Sequence, residues 1–332
     1  MTGKSLIVKT PQDVEVAVLL ATCNGARFVE QQIDSLTQNS TPFTLHWLDD
    51  YSTDDTRRIV RARAQSLGLK LQEWHQPERQ FLPGAFLQLL ESVTADIYFF
   101  CDQDDIWQPG KIDAGVAHLL PDLDSPVLCF SDSLMFYDDD PHVVRPLSEV
   151  FDSRPPKALQ ESRVFTTVIA PGHTQCLTRP LRDLYLEHKS IARAYARNHD
   201  SWMYLIASAS GSARLLTDVP TALYRQHDDN VTAALLRHGG KRLDRSKLTW
   251  KQQQVLRRRT ARHAQGFLLA APTLVQGDKL ERIVALARRV ATFDRRQSLG
   301  ALLSLARSGA LWPNRRWAVG FAAACFWSDA SA

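Results

Sequence analysis

The stretch VEVAVLLAT at 14–22 constrains the fold more than any other part of the chain, because it is an almost unbroken β-branched and aliphatic run that stops at Asn24-Gly25. A strand that is apolar at successive positions must be covered on both faces, which is the condition of a parallel strand between two layers of helices. The Asn-Gly pair marks a turn, and a helix is expected near residues 27–38. The same unit recurs. FTLHWLDD at 43–50 reads as a second strand, Ser52, Thr53 and Asp54 offer N-caps, and Gly68 offers a C-cap for the next helix. KLQEW near 70–74, a helical PGAFLQLLESV at 83–93 and a strand DIYFFC at 96–101 continue the alternation. This order predicts an open α/β sheet with helices on both faces, whose ligands bind beyond the carboxyl ends of the strands. Thr22-Cys23-Asn24, Asp49-Asp50 and Asp102-Gln103-Asp104-Asp105 all fall at such ends.

After residue 120 the rhythm loosens. VLCFSDSLMF and FTTVIAPG are short strand candidates in a mixed extension of the sheet, NHDSWMYLIASAS at 198–210 reads as a helix with His-Asp at its start, and ALYRQH at 222–227 reads as a strand. From 246 onward the chain is Arg-rich helix. The net charge of +4 conceals an asymmetry: from Arg237 on there are 19 Lys/Arg and 5 Asp/Glu, so that segment is +14 and the remainder −10. We therefore expect two domains, an acidic body at 1–240 and a basic helical region at 241–332. Segments such as WKQQQVLRRRTARHAQGFLLAA and WPNRRWAVGFAAACFW mix Arg with Trp, Phe and Leu, which suits helices lying on an anionic membrane surface, or a solvated set of helices. Nucleic-acid binding is not expected, since no recognised module accompanies the charge.

Five scattered cysteines, odd in number and without CxxC spacing, point to a reducing compartment. The first residues lack the charged and apolar regions of a signal peptide, and no apolar run approaches the ~20 residues that span a bilayer. The expected location is the cytoplasm, with peripheral attachment to the inner face of the cell membrane.

The run Asp102-Gln103-Asp104-Asp105 carries the sharpest chemistry. Three carboxylates in four residues repel one another unless a cation joins them. Carboxylate oxygens suit Mg²⁺ or Mn²⁺, and both ions share their coordination readily with a diphosphate. The alternative is a solvated turn in which Asp104 or Asp105 caps a helix.

Four blocks in order, AVLLATCNGARFVEQQIDSL at 17–36, LDDYSTDDT at 48–56, FFCDQDDIWQPGKI at 99–112, and NHDSW at 198–202 with YRQHDDN at 224–230, resemble the family 2 inverting glycosyltransferases of GT-A fold, especially their bacterial rhamnosyltransferase-like branch. The resemblance covers roughly residues 14–232. It implies that Thr22 and Asn24 lie beside the base and ribose of a nucleotide and that Asp50 contacts the base. The family's usual DDGSTD has Tyr51 here in place of Gly. A position needing positive φ resists a β-carbon, so either the turn is built differently or Tyr51 packs on the nucleotide. Asp102-Gln103-Asp104 is similar to the DXD motif, with Asp102 near ribose and metal and Asp104 a direct metal ligand. Trp107 would line the sugar or acceptor side, or else stand in the core. Asp200 falls at the family's catalytic base, although an N-cap role is the plainer reading of NHDSW. His227 resembles a late histidine that completes the metal site. Arg225 would pair with a phosphate or with a structural carboxylate, and Gly172-His173-Thr174 would sit near the acceptor.

The resemblance thus implies an inverting transfer of a sugar, rhamnose as first choice, from a dTDP or UDP donor to a saccharide or lipid-linked saccharide acceptor, with Mn²⁺ or Mg²⁺ as cofactor. Two other classes compete: a nucleotidyltransferase that makes activated sugars, and a non-catalytic carbohydrate-binding or scaffold protein on the same fold. CNGARF has too little Gly and basic charge for a nucleotidyltransferase phosphate loop.

Overall fold

β1 (Val16–Thr22) is buried at every residue, and its two parities serve two different cores. Ala17, Leu19 and Ala21 join one apolar cluster, while Val16, Val18 and Leu20 join another on the opposite face. A computed structural model describes residues 10–138, 144–150, 164–165, 169–217, 219–227, 250–274 and 277–292. Along the chain follow α1 (Val29–Leu36), β2 (Thr44–Asp49), α2 (Thr56–Ser66), β3 (Leu71–Trp74), α3 (Phe81–Ser92) and β4 (Ile97–Cys101). Next come β5 (Ile106–Trp107), α4 (Lys111–Leu119), β6 (Val127–Phe130), β7 (Leu134–Tyr137), β8 (Arg145–Pro146) and a short α5 (Leu147–Val150). β9 (Cys176–Thr178), α6 (Arg179–Glu187), α7 (Lys189–Tyr195), α8 (His199–Ser210), β10 (Ser212–Leu215) and β11 (Ala222–Gln226) precede α9 (Trp250–Ala270) and α10 (Asp278–Val290).

Seven strands form the main sheet in the order β10-β6-β9-β4-β1-β2-β3. Among its strands only β9 runs antiparallel to its neighbours. Phe86, Leu89 and Leu90 of α3 and Trp202, Met203 and Ile206 of α8 cover one face; Val29 and Ile33 of α1, Val60 of α2 and Ile112 and Val116 of α4 cover the other. Removing one such leucine, as in Leu19→Ala, would cost about 2–5 kcal/mol, from lost burial and the cavity left behind. The parallel register sets Thr22 opposite Asp49 and Leu20 opposite Cys101, so the residues that follow all three strands emerge at one edge.

The mixed extension is a second sheet of four strands, β5-β11-β7-β8. VLCFSDSLMF does not stay in one sheet: β6 belongs to the first and β7 to the second. Asp132 makes the corner between them, accepting the backbone N–H groups of Ser133 at 2.8 Å and Ser148 at 3.1 Å. Of FTTVIAPG, Phe165 lies in a turn with the preceding Val164 and 166–168 fall outside the described residues.

α9 and α10 pack into the first core rather than standing apart from it. Ala261, Ala264, Phe267 and Ala270 of α9 and Ile283, Ala287 and Val290 of α10 share a cluster with Tyr185 and Trp202. Gly266 permits the close approach to α7, since a β-carbon there would lie 2.3 Å from the Tyr195 β-carbon. These apolar residues of WKQQQVLRRRTARHAQGFLLAA are thus committed to the protein's own core, which removes them from a membrane-facing stripe. WPNRRWAVGFAAACFW and the expected boundary at 240/241 lie outside the described residues. No described helix is long and apolar enough to cross a membrane.

Candidate active site

The loops after β1 and β2 are bonded mainly to each other. Thr22 Oγ1 donates to Asp49 Oδ1 at 2.8 Å and accepts from Trp47 Nε1 at 2.9 Å. Asp49 also accepts from Ser52 N at 2.9 Å and Arg57 Nε at 2.6 Å. Burial pushes its carboxyl upward, but the bonds from Ser52, Arg57 and Thr22 together hold it below the usual carboxylate value. Asn24 takes a left-handed backbone at φ 51° and its Oδ1 accepts the Thr53 N–H at 2.8 Å. Asp50 is engaged by its own surroundings, accepting Gln76 Nε2 at 2.6 Å and the backbone N–H groups of Gln80 at 2.7 Å and Phe81 at 2.8 Å. Tyr51 keeps φ at 64°, so the turn is built with the left-handed geometry that glycine ordinarily supplies. Its hydroxyl donates to the Gln76 carbonyl at 3.1 Å, and its 41% exposed ring borders a pocket of about 220 Å³ that Asp49, Arg57, Trp74 and Gln76 also line.

Gln103 ties this half to the acid turn. Its Oε1 accepts the Cys23 N–H at 2.8 Å and its Nε2 donates to the Cys23 carbonyl at 3.1 Å. Gly25 makes room for it, because a β-carbon there would stand 2.3 Å from that Oε1 and the Gln103 amide would have to shift.

β9 pairs antiparallel with β4, Phe99 opposite Cys176, so the turn before β9 doubles back past the end of β4. That is how His173 reaches the aspartates. Its Nδ1 lies 3.5 Å from Asp105 Oδ2 and 4.0 Å from Asp102 Oδ2, its Nε2 pairs with Ser133 Oγ at 3.0 Å, and its ring stacks on Tyr224 at 4.8 Å. One ligand atom from each of Asp102, Asp105 and His173 lies within 4.8 Å of the others. Asp105 is fully buried; Oδ1 accepts the Arg225 N–H at 3.2 Å, while Oδ2 has no hydrogen-bond partner among the described residues. Burial, then the charges of Asp104 and Asp102, raise the Asp105 carboxyl well above its ordinary value. Asp102, whose side chain is 30% exposed, is pushed up to about 8 by desolvation, Asp104 and Asp200, against the pull of Lys111. Lys111 is itself buried, with Nζ on the His173 carbonyl and over the Trp107 ring at 4.2 Å. Burial and the Lys111 charge hold His173 well below its usual value, so its imidazole is neutral.

Asp104 turns the other way, its Oδ2 2.9 Å from His227 Nε2, and His227 packs on Phe28 with ring centroids 4.4 Å apart. The expected trio of Asp102, Asp104 and His227 is therefore arranged as an Asp104–His227 pair with Asp102 nearer His173 and Asp105. Crowded carboxylates, one orphaned buried oxygen and a neutral imidazole form a donor set that fits a hard divalent cation.

A cleft of about 410 Å³ opens in front of this cluster, and Asp102, Asp104, His173 and Asp200 all line it. Asp200 stands in the first turn of α8, with Oδ1 accepting the Ser201 N–H and Oδ2 the Gly172 N–H at 3.2 Å. The N-cap is Asn198, whose N–H donates to Ser201 Oγ at 3.2 Å, so Asp200 is not the cap.

Two residues are placed away from the roles the resemblance implied. Trp107 is 1% exposed and packs against Phe99, because β5 pairs with β11 and turns the indole into the core; it presents no face to the cleft. Arg225 is committed to structure, with Nη1 on Asp138 at 2.7 Å, Nε on the Asp104 carbonyl at 3.0 Å and its guanidinium over Phe28 and Phe136. Asp105 belongs to the acid run expected to call for a cation, whereas Lys111 and Tyr224 are not expected from the sequence as supports of the cluster. Their only sequence signal is proximity to motif residues, while His173 gains its place through a strand of three residues.

Residues 17–179 match the family model described as Glycosyl transferase family 2. The chain is 25% identical over 249 residues to dTDP-rhamnosyl transferase RfbG of Shigella flexneri, covering 71% of this chain and 82% of that protein. Among solved structures, S. aureus TarS 1-349 in complex with UDP superposes with a TM-score of 0.54 at 14% identity, covering 94% of this chain and 89% of that one. Mannosyltransferase PcManGT from Pyrobaculum calidifontis, in complex with GDP-Man and Mn²⁺, gives 0.53 at 19% identity, covering 94% and 86%. At such identities the two structures speak for the fold. The matched segment runs from β1 to the start of α6 and takes in the loops after β1 and β2 and the acid turn, and with the sheet order it makes this chain a family 2 glycosyltransferase of GT-A fold.

Proposed function

We propose that the enzyme transfers a sugar, with inversion, from a nucleoside-diphosphate donor to a hydroxyl of a saccharide or lipid-linked saccharide. The observation that carries this reading is that Asp102, Asp104 and Asp200 open onto one cleft. Asp102, Asp104 and His227 would hold Mn²⁺ or Mg²⁺ on the donor side, since Asp102 and Asp104 face the cleft and Asp105 does not. The ion supplies positive charge against a departing diphosphate. Asp105 and Lys111 are buried behind these ligands, while His173 lines the cleft beside Asp102 and offers the ion a further imidazole.

Asp200 acts as the base. Two backbone N–H groups hold its carboxylate in place at the cleft. It accepts the proton of the acceptor hydroxyl as that oxygen's electron pair forms the bond to the anomeric carbon and the bond to the diphosphate oxygen breaks. Thr22, Asn24 and Asp50 shape the nucleotide side, Asp50 by fixing the 76–81 segment. The likeness to a protein named as a dTDP-rhamnosyl transferase supports dTDP-rhamnose as the first donor to try. The basic C-terminal chain supports peripheral association with an anionic membrane.

Asp200→Asn should lower sugar transfer by on the order of 100-fold or more while nucleotide binding persists, followed as nucleoside diphosphate released with Mn²⁺ present. Full turnover by that variant would refute the assignment. Release of pyrophosphate instead would favour a nucleotidyltransferase, and no release would favour a binding protein.

A further inference from the structure

The cleft has a second wall that the transfer chemistry does not use. Arg197, just ahead of α8, and Arg259 and Arg262 of α9 line it together with the aspartates. Positions three apart on a helix share a face, so Arg259 and Arg262 project together. Elsewhere the enzyme pairs its arginines with carboxylates: Arg57 with Asp49, Arg61 with Glu73, Arg179 with Asp96 and Arg214 with Asp122, all at 3.0 Å or less. The cleft arginines differ. Arg262 Nε donates to the Ala194 carbonyl at 2.9 Å and its guanidinium lies over Tyr195 at 5.6 Å, while Arg197 Nη1 donates to the Phe165 carbonyl at 3.3 Å. These bonds aim the groups, and among the described residues no carboxylate forms an ion pair with any of the three, Asp200 being the acid whose charge reaches Arg197. Burial and the charge of Arg259 hold Arg197 below its usual value, against the pull of Asp200. Three like charges that line one cleft, with no ion pair to a carboxylate among the described residues, repel one another unless an anion joins them.

We propose that this wall is an anion subsite for the acceptor, which carries a phosphate group close to the hydroxyl that receives the sugar. The inference rests on the transfer reading of the same cleft. It places the acceptor phosphate on the Arg197 side of Asp200 and the donor diphosphate on the Asp102–Asp104 side, so each anion meets its own positive partner. Guanidinium forks match phosphate oxygens in pairs, which orients the acceptor as well as holding it.

The test uses full-length enzyme saturated with UDP and Mn²⁺, titrated calorimetrically with glucose 1-phosphate, farnesyl phosphate, glucose and farnesol. Wild type should bind at least one phosphorylated probe about 10-fold or more tightly than its neutral counterpart. Arg259→Gln/Arg262→Gln should remove that preference while UDP–Mn²⁺ affinity stays within about twofold. Preference for farnesyl phosphate alone identifies a lipid-linked acceptor, for glucose 1-phosphate alone a free sugar phosphate, and for both the phosphate itself. Equal binding of charged and neutral probes, a preference that survives the double substitution, or an equal loss of UDP–Mn²⁺ binding would each overturn the inference. Wild type that binds neither UDP nor dTDP with Mn²⁺ would instead sink the transfer reading.

Discussion

LDDYSTDDT at 48–56 and CDQDD at 101–105 look alike as sequence and hold opposite electrostatic states in the fold. In the first, donors surround the carboxylates: Asp49 has Thr22, Ser52 and Arg57, Asp50 has Gln76, Gln80 and Phe81, Asp54 has Ala26 and Thr56, and Asp55 has Arg58. For Asp49 and Asp54, burial pushes upward but hydrogen bonds prevail and the carboxyls sit low. In the second, desolvation pushes both Asp102 and Asp105 up, helped by the charges of Asp104 and Asp200 on Asp102 and of Asp104 and Asp102 on Asp105. An acid-rich loop signals a cation only when the fold withholds donors from it; given donors, the same composition builds a rigid frame.

The contrast is sharpest at Asp104. Asp104→Ala should cost on the order of 100-fold or more in transfer and abolish the rise in melting temperature that Mn²⁺ gives. Asp54→Ala should keep that rise, and equal losses from the two substitutions would erase the distinction. Asp50→Ala comes next: stranding the donors of Gln76, Gln80 and Phe81 should lower stability by about 2–3 kcal/mol in urea denaturation, with Mn²⁺ affinity retained.

The smallest expected effect has the opposite sign. Between its unfolded value near 3.8 and its folded value of about 8, Asp102 binds its proton more tightly in the folded chain. Metal-free enzyme therefore loses stability as pH rises through that window. Asp102→Asn should flatten the slope and stabilise the metal-free protein at pH 8 by roughly 1 kcal/mol, since the group's solvent access screens part of the shift. A variant less stable than wild type at pH 8 would show that Asp102 is held by bonds, as Asp49 is.

The first four strands and the helices between them were legible because each is a local pattern: aliphatic runs for β1 and β4, caps at Gly68 and a turn at Asn24. β5, β8 and β9 were not, since two or three residues carry no period and form strands only because neighbours pair with them. The division of VLCFSDSLMF between two sheets depends on Asp132 gathering backbone donors from a distant segment, which no local rule encodes. The same reason governs the site. Asp102, Asp104 and Asp200 sit at element ends that periodicity could locate, and they converge on the cleft. The setting of His173, the burial of Trp107 and the structural bonding of Arg225 all follow from β9 and β11, whose pairing is non-local.

The amide of Gln103 grips both the N–H and the carbonyl of Cys23, and in that position it leaves no room for a β-carbon at 25. Two loops from different strands are thereby tied through one side chain, so a shift of the loop after β1 would tug on the acid turn. In related chains, positions 25 and 103 should change only together: a shorter residue at 103 frees room for a β-carbon at 25, and a glutamate there, having no N–H to offer, would grip with one hand.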